Sequence, residues 1–260
     1  MNKITIAQAF TKKAFIPFIT AGDQGITTTE KYIRTMAKAG ATLIEIGIPF
    51  SDPVAEGPVI QAASERALST GVTTDDIFEM VRRLRTGTDA LTIPLVFMTY
   101  ANVVFSYGPE KFFAKCKEIG IDGIILPDIP FEERNEFLEI SKKYNIDLIS
   151  LIAPTSDDRI AMIAKEAKGF LYIVSSLGVT GTRSEITTDL NSIVKIVREN
   201  TDIPCAIGFG ISTPEQAKDM SQIADGVIVG SAIIKLLKQY KTKAPSYIGA
   251  YVKEMKDAVL

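Results

Sequence analysis

Three carboxylates, Glu45, Asp52 and Glu56, fall inside or just after an apolar run that reads as a buried strand, IEIGIPFSDPVAEGP over 44–58. An ionised carboxylate in a dry interior costs several kcal/mol unless it is paired or stays protonated, so folding alone rarely selects one. Proton transfer is the chemistry such a group can do. Glu45 shares strand parity with Leu43 and Gly47. If it points inward, Gly47 leaves room for a ligand on the same face, and apolar walls raise its pKa into the range of a tuned acid/base. The ordinary alternative is a carboxylate satisfied by a neighbouring hydroxyl. Asp52, in FSDP, fixes a turn as readily as it does chemistry. Glu56, in VAEGP, reads by default as a solvated loop charge, and only its nearness to Glu45 draws notice.

Two further stretches suit an anion. GFGIS (208–212) and GSAI (230–233) each follow an apolar run and lead toward a helix start. Glycine lets the backbone approach an anion closely, and helix N-termini offer free N–H groups. Gly210, Gly230 and Ser231 are therefore candidate phosphate ligands, the alternative being simple tight turns. SSLGVTGTRSEITTD (175–189) is long for its place and rich in Gly, Ser and Thr. It is a candidate lid hinged at Gly178 and Gly181, with Gly181 also offering an N–H to phosphate; otherwise it is a surface loop. Phe18, Met98, Tyr100, Ile125, Tyr172 and Phe209 lie at or near the ends of apolar runs, where they could sandwich a flat aromatic group or simply fill the core.

What is missing narrows the chemistry. The chain has no histidine, which excludes a Ser/His/Asp triad, a histidine base and the usual histidine-containing zinc sites. No apolar run carries lysine, which argues against a Schiff base. No metal site is expected. Cys116 and Cys205 form no CxxC pair, so they are expected to be a buried helix residue and a strand residue.

The elements that must position these groups are visible as short apolar runs at 15–19, 42–48, 94–98, 123–127, 147–152, 170–175, 204–209 and 226–230. Their near-continuous apolarity is that of parallel strands covered on both faces. Amphipathic stretches at 27–40, 109–120 and 213–224 begin at Thr or Pro, as helices do. The last stretch, 245–260, places Tyr247, Ile248, Tyr251, Val252, Met255 and Val259 on one helical stripe. Eight strand signals alternating with helices in 260 residues predict one (β/α)₈ barrel domain over 1–260, with its site at the strands' C-terminal ends. A doubly wound sheet is the weaker alternative, because TAGDQG after the first strand is not a GxGxxG. A formal net charge of −2 suggests no nucleic-acid surface, and no apolar run is long enough for a membrane span. The N-terminus lacks the apolar region of a signal peptide, so a cytoplasmic location is expected.

Taken together, FIPFITAGD (15–23), EIGIPFSDPVAEGPVIQ (45–61), MTYANVVFSYG (98–108), LPDIP (126–130), SSLGVTGTR (175–183), GFGIS and GSAI resemble the tryptophan synthase alpha chain family, in order and spacing over nearly the whole chain. The resemblance implies a (β/α)₈ barrel that cleaves indole-3-glycerol phosphate to indole and glyceraldehyde 3-phosphate. It implies that Glu45 is the catalytic glutamate, shuttling protons between the indole ring carbon and the substrate hydroxyl. Glu56 stands where the family carries aspartate, whose carboxylate steadies the indole N–H; here the arm is one bond longer. Tyr172 matches a tyrosine beside the catalytic glutamate, and Thr180 a lid threonine that meets the loop carboxylate on closure. Gly181, Gly210, Gly230 and Ser231 match phosphate-binding positions.

The resemblance further implies a shortened N-terminal helix and no cofactor in this chain. Pyridoxal phosphate is expected in a partner beta chain, with an α₂β₂ heterotetramer formed through the loops of Asp52 and Pro130. A mainly regulatory subunit weakened by Glu56 is the competing expectation, and a ribose-phosphate isomerase on a similar barrel is a third.

Overall fold

The computed structural model describes residues 3–174, 189–208 and 210–259. Eight strands close into a barrel in sequence order: β1 (Ala14–Thr20), β2 (Ile44–Gly47), β3 (Leu95–Met98), β4 (Gly123–Ile125), β5 (Asp147–Ile152), β6 (Leu171–Val174), β7 (Cys205–Gly208) and β8 (Gly226–Val229). Every neighbouring pair is parallel, and β8 pairs with β1 to complete the ring. Seven strands are buried along their whole length, which is why they read as unbroken apolar runs rather than alternating ones. Closure also removes every strand edge.

Helices connect the strands where the sequence places them, at Ile26–Lys38, Pro109–Ile119 and Pro214–Ile223. Proline opens the last two, and Thr213 with Gln216 forms a capping box that satisfies two N–H groups at once. The final helix, Ala244–Ala258, buries Ile248, Val252 and Met255. The expected stripe needs one correction. Tyr247 is exposed and stacks on Tyr240 with ring centroids 3.5 Å apart, whereas Tyr251 is half-buried and donates its hydroxyl hydrogen to the Ser212 carbonyl at 2.9 Å. A phenol can serve either surface, so helical spacing alone does not decide its side.

The N-terminal helix is a single turn, Ile6–Ala9, held by a Thr5–Gln8 capping box. It buries Ile6, and the following Phe10 ring lies 5.5 Å from that of Phe170 at the start of β6. This end of the barrel is tight. A Cβ on Gly226 would come within 3.0 Å of the Ala14 carbonyl and 3.1 Å of Phe10.

Cys116 and Cys205 are buried in a helix and in β7, as expected, with burial raising both thiol pKa values. Among the described residues no helix is long and apolar enough to cross a membrane, and no cluster of His, Cys, Asp and Glu could hold a metal.

The helix Pro58–Ser69, which follows the carboxylate-rich loop, is anchored from beneath. Asp23, 1% exposed in the loop after β1, accepts from Arg66 Nε and Nη2, both at 2.8 Å. The two-pronged geometry satisfies both carboxylate oxygens in a place where an unpaired charge would be costly. It ties the loops after β1 and β2 into one body.

Candidate active site

Parallel pairing carries the register around the barrel. Glu45 aligns with Phe18 on β1 and Val96 on β3, and Gly47 with Met98. These side chains share the inner face. At the C-terminal mouth, Phe18, Glu45, Glu56, Met98 and Tyr172 line one chamber together with Gly210, Gly230 and Ser231. The carboxylates and the glycine turns, far apart in sequence, therefore meet on the same rim.

Glu45 is 1% exposed, and among the described residues its Oε2 has no hydrogen-bond partner. Burial first, and the nearby Glu56 charge second, push its pKa up to about 8 from 4.5. A neutral carboxyl at neutral pH follows, able both to give a proton and to take one back.

Glu56 overturns its default reading as a solvated charge, since it is 3% exposed and faces the chamber. The loop turns it inward. Its own N–H donates to the Pro53 carbonyl at 2.9 Å, and Gln61 Nε2, from the first turns of the next helix, donates to the Glu56 carbonyl at 2.8 Å. Asp52 stays outside, exposed, accepting from the Ser51 hydroxyl at 2.5 Å, while its carbonyl accepts the Val54 N–H at 2.9 Å. That is turn-making work.

The space above Gly47 is not ligand space, contrary to expectation. A Cβ there would lie 2.7 Å from Phe18 Cζ, so the missing side chain makes room for the Phe18 ring, which then forms a wall of the chamber. Gly208 does the same for Tyr172: an added Cβ would sit 2.4 Å from the Tyr172 hydroxyl and 2.7 Å from Cζ. This role of Gly208 was missed in the sequence, where its only visible signal is the first glycine of GFG. Tyr172 is buried. Burial first, then Glu45 and Glu56, raise its pKa well above the ordinary phenol value, so it stays neutral beside the two carboxylates.

In the same chamber Gly210 has φ +85, a left-handed conformation that favours glycine. Gly230 caps and Ser231 begins the helix Ser231–Tyr240, so its free N–H groups lie at the rim. A Cβ on Gly230 would approach Phe18 Cδ1 to 3.2 Å.

Tyr100 is buried and lines a smaller void that shares Phe18, Glu56 and Met98 with the chamber, and Ile125 is buried in β4 without lining either. Thr180, Gly181, Gly178 and Phe209 lie outside the described residues. The chamber itself measures only about 30 Å³, but Met98 and Tyr172 also border an adjoining cavity of about 430 Å³ walled by Leu126, Leu151 and Val174. The larger space suits a flat apolar ring, the smaller the reacting atoms. Such an arrangement offers buried acid/base chemistry and anion capture in one chamber.

Comparison with known proteins agrees with this geometry. A family profile described as "Tryptophan synthase alpha chain" matches residues 5–259. The chain is 49% identical over 247 residues to the tryptophan synthase alpha chain of Lacticaseibacillus casei, covering 95% of this chain and 92% of that protein. It is 46% identical over 260 residues to the one from Thermoanaerobacter sp. (strain X514), covering 99% and 98%. Among solved structures it is similar to tryptophan synthase subunit alpha from Legionella pneumophila str. Paris, with TM-score 0.87, 37% identity and coverage of 100% and 98%. It is also similar to a chain in a structure of Mycobacterium tuberculosis tryptophan synthase, with TM-score 0.88, 30% identity and 99% of each chain covered. The chain belongs to the tryptophan synthase alpha chain family.

Proposed function

We propose that this chain cleaves indole-3-glycerol phosphate by carboxylate acid/base catalysis at the barrel mouth, with the whole chain acting as one barrel unit. Its family makes it an alpha subunit and a carbon–carbon lyase of tryptophan biosynthesis. The single observation that supports the mechanism is Glu45, buried with its pKa raised next to Glu56, in a chamber it shares with Gly210, Gly230 and Ser231.

Protonated Glu45 gives its proton to the indole ring carbon that bears the glycerol chain. Positive charge develops at the ring nitrogen, and the Glu56 carboxylate steadies it. The ionised Glu45 then takes the proton of the adjacent hydroxyl. As that oxygen becomes a carbonyl, the carbon–carbon bond breaks and its electron pair restores the indole ring. Glu45 ends protonated again, so no lysine and no metal is required. Phe18, Met98 and Tyr172 hold the ring in place, assisted by Phe209. Backbone N–H groups at Gly181, Gly210, Gly230 and Ser231 take the phosphate, and Thr180 meets the Glu56 carboxylate on closure.

The chain carries no organic cofactor in this reading. Its partner is a beta chain that holds pyridoxal phosphate and receives indole in an α₂β₂ assembly in the cytoplasm. The exposed loop with Asp52 and Val54, and the one with Pro130, are the proposed contacts; Val54 is 74% exposed, which suits a surface covered by a partner. Similarity to a chain from M. tuberculosis tryptophan synthase supports this reading.

The test is to supply indole-3-glycerol phosphate to the purified chain and measure indole, alone and with a beta chain. Slow release alone and faster release in complex is the expected result. A sugar-phosphate rearrangement without indole in either case would instead favour an isomerase.

A further inference from the structure

Tyr100 sits at the N-cap of the helix Ala101–Tyr107, yet its side chain makes no capping bond. That duty passes to Asp128, whose two carboxylate oxygens both accept the Ala101 N–H at 3.1 Å. The phenol is left to reach sideways into the loop after β2. Its oxygen accepts the Ala55 N–H at 3.1 Å, and its ring stacks on Phe50 with centroids 5.2 Å apart and planes 29° apart. One side chain thus grips both ends of the 50–56 loop.

Glu56 is the residue that benefits. Tyr100 holds the backbone just before it, and Gln61 holds the carbonyl just after it. A glutamate has one more rotatable bond than an aspartate, so placing its carboxylate costs more side-chain entropy and depends more on where the Cα is fixed. Burial first, then the Glu56 charge, raises the Tyr100 pKa, which keeps the phenol neutral. Tyr100 does not border the chamber that Glu45 and Glu56 share.

We infer that Tyr100 is a positioning residue for Glu56: by holding the Ala55 N–H, its phenol oxygen sets how far the Glu56 carboxylate reaches toward Glu45 and the ring nitrogen. The inference deepens the proposed lyase reading and rests on its assignment of Glu56.

Tyr100→Phe removes the acceptor oxygen and keeps the ring on Phe50. The expected result is a fall in kcat of about tenfold, the scale of one well-placed hydrogen bond, with KM within about twofold of the parent. In a Glu56→Gln background the same substitution leaves kcat unchanged, because it acts only through that carboxylate. A second readout needs no turnover. The Glu45 carboxyl, followed by carbon-13 NMR and assigned by its absence in Glu45→Gln, titrates at lower pH in Tyr100→Phe, since Glu56 has receded; the other group facing Glu45 here, Tyr172, stays neutral throughout. An equal loss of kcat in both backgrounds, a raised KM with kcat intact, or an unmoved Glu45 titration overturns the inference. If the parent chain releases no indole, the lyase reading fails, and the NMR titration still decides the role of Tyr100.

Discussion

Replacing Glu45 by Gln lowers kcat for indole release by about 10²–10⁴-fold, the range of positioned acid/base catalysis. The substitution keeps shape and burial and removes only the exchangeable proton. Binding of glycerol phosphate, which reports the glycine turns, stays at the parent level, as equilibrium dialysis would show. Stability moves the other way. The folded chain keeps the Glu45 proton up to about pH 8, whereas the unfolded chain releases it near the ordinary value of 4.5. Between those limits the unfolded state binds fewer protons, so this group makes stability fall as pH rises. Glutamine has no charge to hide. The variant therefore melts at a higher temperature than the parent at pH 8, while the two converge near pH 4; a lower melting temperature at pH 8 would contradict the buried, raised state.

The second large effect belongs to Glu56. Changing it to Gln withdraws the negative charge that the proposed mechanism sets against the ring nitrogen, and kcat is expected to fall by about 10²–10³-fold, as for loss of one preorganised electrostatic partner. Glu56→Asp is the more discriminating change. It shortens the arm by about 1.5 Å on a loop fixed by Gln61 and Tyr100, and a misplacement of that order costs about 10²-fold. Steady-state kinetics on the isolated chain decides it. A large gain of activity in Glu56→Asp would mean that the native residue weakens the site, and would return the chain to the regulatory reading.

Glu45 was legible in the sequence because an acid inside an unbroken apolar run has no folding rationale, and parallel-strand burial made the run unmistakable. That Gly210, Gly230 and Ser231 would meet at one chamber was legible because barrel order places the turns after β7 and β8 side by side. The sequence failed where the outcome depends on a neighbour distant along the chain. Gly47 looked like ligand space, but the Phe18 ring fills it; Gly208 drew no reading of its own, yet the Tyr172 hydroxyl lies where its Cβ would be. Glu56 looked solvated because nothing local shows that its loop folds inward, a result of Gln61 and Tyr100 bonding to its backbone and that of Ala55. Tyr247 obeys the helical stripe and is still exposed, because it finds Tyr240 at the surface.

Two carboxylates acting together are the core of the proposed mechanism, and the pH dependence of kcat/KM for indole release reads their interaction directly. The free chain reacts from protonated Glu45, so kcat/KM holds level at neutral pH and declines above about pH 8. In Glu56→Gln the like charge is gone, the second cause of the raised pKa disappears, and the same decline begins at lower pH. A profile with no decline near that value, or one that Glu56→Gln leaves in place, would contradict it.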